Sequence, residues 1–162
     1  MRSHNRRFHF SVLLVFVFLF PVFLSERAEA AGLKETWVRL DRLAASATTG
    51  GTVCVKTAVI DVTEANVVVT FPSGFTVSGT AGNWTTTTTN LPNGALAWLG
   101  IGTATLVATQ SVTFPSSDLA ANTLYCFNFS GTTTLTNHGT PANNYTGTVA
   151  SGGNSSTFAL SI

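Results

Sequence analysis

The sequence predicts an all-β fold, an antiparallel β-sandwich that is immunoglobulin-like in architecture, and three observations carry that expectation. From residue 47 onward the chain alternates apolar with polar side chains and is dense in threonine, whose β-branched side chain suits half-buried pleated positions. Gly, Pro and Asn cluster between those stretches at short spacing, as turns do in sandwiches and barrels. Two cysteines, Cys54 and Cys126, stand in a chain that opens with an export-type leader, so one disulfide is the default for them.

Residues 1–30 read as a signal peptide. Arg2, Arg6 and Arg7 make a positive n-region, Val12 to Leu24 an apolar h-region, and Ala28-Glu29-Ala30 a small-x-small cleavage pattern. Cleavage is expected between Ala30 and Ala31, which places the remaining chain outside the cytoplasm, secreted or on the cell surface. The alternative is an uncleaved anchor over Phe8–Leu24, the one route by which this chain is expected to meet a membrane. An h-region of about 13 residues interrupted by Pro21 is short for a bilayer core that needs ~20.

Residues 31–46 form a lead segment set apart by its charge. Leu33, Trp37, Leu40 and Ala44 share a helical face, yet Val38 and Leu40 alternate with Arg39 and Asp41 as in a strand. A short helix and an N-terminal edge strand are both compatible with this pattern. The sandwich domain spans 47–162. Its candidate strands are Thr52–Val59, Asn66–Phe71, Phe75–Ser78, Trp84–Thr89, Ala95–Leu99, Thr103–Val107, Gln110–Phe114, Thr123–Ser130, Tyr145–Ala150 and Thr157–Ile162. Leu91-Pro92-Asn93-Gly94 is the strongest turn signal and predicts a hairpin joining Trp84–Thr89 to Ala95–Leu99. Val69-Thr70-Phe71-Pro72-Ser73 recurs as Val112-Thr113-Phe114-Pro115-Ser116, a recurrence that Thr-rich strands ending in Pro-Ser turns reach without duplication of a half-domain.

Strand alternation assigns faces. Cys54 points with Thr52 and Lys56, away from Val53 and Val55, and Cys126 points with Asn128, away from Tyr125, Phe127 and Phe129. The bridge is therefore expected between neighbouring strands, on the outer side of one sheet. The expected core comprises Val53, Val55, Val67, Val69, Phe71, Leu96, Trp98, Val112, Phe114, Tyr125, Phe127 and Phe129. Phe158, Leu160 and Ile162 alternate with Thr157, Ala159 and Ser161, so the sequence closes on a strand pattern without charge or Pro. Strand addition of Ser156–Ile162 or Leu33–Ala44 to another copy is one reading of that pattern, and pairing within its own domain the other.

Charge excludes one class of partner. After the leader, Lys34, Arg39, Arg42 and Lys56 oppose Glu35, Asp41, Asp61, Glu64 and Asp118, and Asn66 to Ser117 carries no charge. No basic patch exists for nucleic acid. The chain also lacks a G-x-S-x-G elbow, an H-E-x-x-H pair, a P-loop and a dinucleotide fingerprint. His138, the one histidine after the leader, lies in a turn-like setting and needs Asp61, Glu64 or Asp118 as a partner before it can act as a base. Asp61 and Glu64 are too few for a calcium loop, which takes six to eight oxygens. No catalytic, cofactor or metal residue is therefore assigned, and no enzyme activity is expected. Trp84 and Trp98 are expected in the core, with an exposed tryptophan the feature that would point to sugar stacking. Asn83, Asn128, Asn144 and Asn154 each open an N-x-[ST] sequon.

Five segments taken together carry a resemblance: Trp37-Val38-Arg39-Leu40, Thr52-Val53-Cys54-Val55, the run 69–75, Ala97-Trp98-Leu99-Gly100-Ile101 and the run 124–129. The chain resembles uncharacterised secreted β-sandwich proteins of ultra-small candidate-phyla bacteria. That resemblance covers nearly the whole chain after the leader. It implies export and fold, and carries over no catalytic residue. The immunoglobulin likeness stops at architecture, because Tyr125 adjoins Cys126 instead of preceding it by two. These observations favour a structural protein of the bacterial envelope, with a binding or adhesion module for glycans or a partner cell surface as the alternative. The partners expected are the chain itself or a cell-surface glycan or protein.

Overall fold

The computed structural model describes residues 33–58, 64–130 and 133–162. The cleavage site Ala30/Ala31 and Asp61 lie outside the described residues. Thirteen strands follow in order: β1 (Leu33–Leu40), β2 (Thr48–Thr49), β3 (Gly51–Thr57), β4 (Asn66–Thr70), β5 (Thr76–Val77), β6 (Thr85–Thr87), β7 (Leu96–Ala97), β8 (Leu106–Ala108), β9 (Ser111–Pro115), β10 (Leu124–Ser130), β11 (Leu135–Thr136), β12 (Tyr145–Ser151) and β13 (Asn154–Leu160). They build two five-stranded sheets and a small cap. The first sheet runs β1-β3-β10-β6, with β7 also on β10, the second runs β13-β12-β4-β9-β8, and the cap runs β2-β11-β5. Every pairing is antiparallel except β7 on β10. The chain is thus all-β, with antiparallel sheets packed as a sandwich.

Alternation explains the core. Val53 and Val55 on β3 and Tyr125, Phe127 and Phe129 on β10 face Val67 and Val69 on β4, Val112 and Phe114 on β9 and Val149 on β12, all buried in one cluster. Each such side chain, fully removed from water, contributes ~1.5–3 kcal/mol. An aromatic spine crosses between the sheets: Phe114 lies 5.1 Å from Phe127, Trp98 5.5 Å from Phe127, and Trp84 5.6 Å from both Phe71 and Phe129. Both buried indoles are satisfied, Trp84 Nε1 donating to the Ser78 carbonyl at 3.0 Å and Trp98 Nε1 to Ser116 Oγ at 2.8 Å. On β12, Gly147 sits opposite Phe158, whose ring occupies the space a Cβ there would need.

The lead segment forms the edge strand and not the helix. β1 pairs with β3 from Leu33↔Thr57 to Leu40↔Gly51 and buries Val38 and Leu40. The last strand, β13, pairs along its whole length with β12, and Ile162 exchanges two backbone hydrogen bonds with Ala142. It lies beside β1, so the two sheets meet along that side of the sandwich.

Two expectations are corrected. Trp84–Thr89 and Ala95–Leu99 do not pair as a hairpin. The turn forms, with Ala95 N–H donating to the Pro92 carbonyl at 3.0 Å and Gly94 at φ 84°. However, β6 binds the end of β10 antiparallel and β7 binds its start in parallel, both on one edge, because β10 offers a longer apolar partner than either short strand offers the other. Leu96 is 55% exposed where burial was expected. β7 is only two residues long, so alternation fails past its end. Trp98 turns inward there, its N–H on the Cys126 carbonyl, and leaves Leu96 at the rim. The two Val-Thr-Phe-Pro-Ser copies lie side by side in the second sheet: β4 and β9 pair antiparallel with Val69 opposite Val112, and Phe71 and Phe114 both meet Trp84.

Candidate functional site

The cross-link is the first candidate. Cys54 and Cys126 are direct partners in the β3–β10 ladder, with Cα atoms 4.2 Å apart, and form a disulfide. Because Val53, Val55 and Phe127 point into the sandwich, the bridge lies on the outer side of the first sheet, between neighbouring strands. It is nonetheless fully buried. The register sets Trp37 beside Cys54 and Ala97 beside Cys126, so one cross-strand row reads Trp37–Cys54–Cys126–Ala97. Below it, Thr52 Oγ1 donates to Asn128 Oδ1 at 2.7 Å and Asn128 Nδ2 to the Thr89 carbonyl at 2.7 Å. On the same face, Lys56 Nζ approaches Glu35 Oε1 at 3.8 Å, an exposed contact of little energetic weight.

His138 is held by packing. Its ring stacks on Tyr145 at 4.7 Å, and its Nδ1 accepts the Thr140 N–H at 2.9 Å. Tyr145 in turn donates its hydroxyl to the Thr140 carbonyl at 2.6 Å. Gly74, at φ 86°, lies against the imidazole so closely that a Cβ would overlap the ring. Glu64 is far from this cluster in the fold. It precedes β4, whereas Phe75, which edges His138, follows it, so the two lie beyond opposite ends of that strand. Glu64 is buried, and its Oε2 accepts the Leu119 N–H at 2.9 Å, a structural role that also engages one of the two carboxylates considered for calcium. Among the described residues no group of three or more His, Cys, Asp or Glu could hold a metal ion, and no helix is long and apolar enough to cross a membrane.

Sequence reasoning missed the tie that holds the cap. Asn137 is buried, and its Nδ2 donates to the carbonyls of Arg42 and Ala44 at 2.8 and 2.9 Å, fastening the segment after β1. The cap strands are two residues each, too short for any periodicity to register. Of the sequon residues, Asn83 donates to Ser78 Oγ at 2.9 Å and Asn128 is engaged as above, whereas Asn144 is exposed.

The outer face of the second sheet is built from small uncharged side chains. Register aligns Thr157, Thr148, Thr70, Ser111 and Ala108 in one row, and Ser155, Ala150, Val68, Thr113 and Leu106 in the next. Leu106 is 61% exposed, and Leu96 and Leu99 are exposed on the connection leading to it. This neutral face and the edge at β8 contrast with the first sheet, whose outer side holds the buried bridge and the exposed Lys56–Glu35 contact. Comparison with known protein families, with curated proteins and with solved structures finds no match to this chain.

Proposed function

We propose that this chain is an exported structural protein of the bacterial cell surface, a sandwich whose role is carried by its fold and edges rather than by catalysis. The observation that supports this most is the Cys54–Cys126 disulfide, set behind an export-type leader, because such bonds form and persist outside the reducing cytoplasm. The threonine-rich neutral face fits a role in which surface, not a reactive cluster, does the work. The alternative is an extracellular module for glycans or a partner cell surface. It rests on half-buried Trp37, the one tryptophan not packed in the core and so the one available to stack on a sugar. Immuno-labelling of intact producing cells tests the proposal. Label on unpermeabilised cells is expected, and label that requires permeabilisation contradicts it.

A further inference from the structure

The two sides of the sandwich are not equivalent as edges. On one, β1 and β13 lie beside each other, and β1 carries the exposed charges Lys34, Glu35 and Arg39. On the other, the second sheet ends at β8. Among the described residues nothing but β9 pairs with it. A terminal strand leaves the N–H and C=O of every second residue pointing away from its neighbour, a template for another chain unless charge, Pro or cover blocks it. Thr103 to Thr109 holds neither charge nor Pro, and Leu106 stands 61% exposed there.

We propose that β8 is a self-association edge, and that two copies of this chain pair β8 with β8 antiparallel about a two-fold axis at Val107. The occupant follows from symmetry. Pairing about a two-fold axis brings a residue near the axis close to its own copy, so a charge there repels across the axis, and an uncharged edge meets no such penalty. Antiparallel pairing about Val107 sets Leu106 of each copy beside Ala108 of the other, a large exposed side chain against a small one on the same face. The row Ser155–Ala150–Val68–Thr113–Leu106 then continues into Ala108–Ser111–Thr70–Thr148–Thr157 of the second copy, and the two sheets become one. The interface is isologous and closes at two copies. A three-residue strand makes few hydrogen bonds, so the association is weak, at the low end of interface sizes.

The proposal goes beyond the surface-structural reading and stands apart from it: cell labelling tests location, and self-association in solution tests this edge. The full chain, expressed with its own leader and purified as secreted, is followed by sedimentation equilibrium over a concentration series. A monomer–dimer equilibrium is expected. Leu106→Lys should weaken it by at least about tenfold, because the two-fold brings two lysines to one short edge. Thr157→Lys on β13 should leave it unchanged. Both positions are exposed, and matching thermal melts of the variants confirm that the fold is kept. A wild-type protein that is monomeric throughout overturns the proposal. So does dimerisation lost with Thr157→Lys but kept with Leu106→Lys, which would place association at the terminal strand.

Discussion

The side closed by β1 and β13 and the side left open at β6, β7 and β8 differ in chemistry as much as in cover. The closed side gathers five charges within ten residues, from Lys34 to Arg42, and still sends Val38 and Leu40 into the core. The open side belongs to Asn66–Ser117, which has no charge at all, and leaves Leu96, Leu99 and Leu106 in water. The same core thus supports one side guarded against pairing and one that is not. On β1 the charged side chains stand exposed while Val38 and Leu40 enter the core, which separates the residues that hold this side from those that face solvent.

That separation can be broken first at the shared centre. Phe127 packs against both Trp98 and Phe114, so Phe127→Ala should cost ~3–5 kcal/mol by chemical denaturation. A loss below about 1 kcal/mol would mean the spine is not the common support of both sides. Removing the bridge with Cys54→Ser and Cys126→Ser together should cost about 4 kcal/mol, from the loop closed across a separation of 72 residues. The loss should appear in the midpoint of a denaturant titration.

How much of this was legible follows the same division. Strands long enough to alternate several times announced their faces: β3, β4, β9 and β10 place Val53, Val67, Val112 and Phe127 where the pattern put them. The bridge was legible because only two cysteines exist and their neighbours fixed which way they point. The segment Leu33–Ala44 was not, since helical and strand periods coincide over so few residues, and pairing with β3 decided it. The failed hairpin and exposed Leu96 have one cause. Short strands are placed by the long strand they meet, here β10, and that choice is made far away in sequence. At His138 the turn setting was visible in the sequence, but the Gly74 and Tyr145 surfaces that pack its ring were not.

Smaller effects sharpen the contrast between the sides. Leu40→Ala on the closed side should cost about 2–5 kcal/mol, as for a buried leucine, whereas Leu106→Ala on the open side should change monomer stability by less than about 0.5 kcal/mol. Equal effects at the two positions would erase the distinction. Between these lies Gly74→Ala, where positive φ and the His138 ring together should cost about 1–3 kcal/mol and shift the ring proton resonances of His138 in an NMR spectrum.

The asymmetry itself is read most directly by hydrogen–deuterium exchange of the wild-type protein at low and high concentration. Amides of Leu106–Ala108 should gain protection as concentration rises, while those of Leu33–Leu40 and Asn154–Leu160 stay as they were. Protection that never changes at β8, or that rises instead along Asn154–Leu160, would contradict the account.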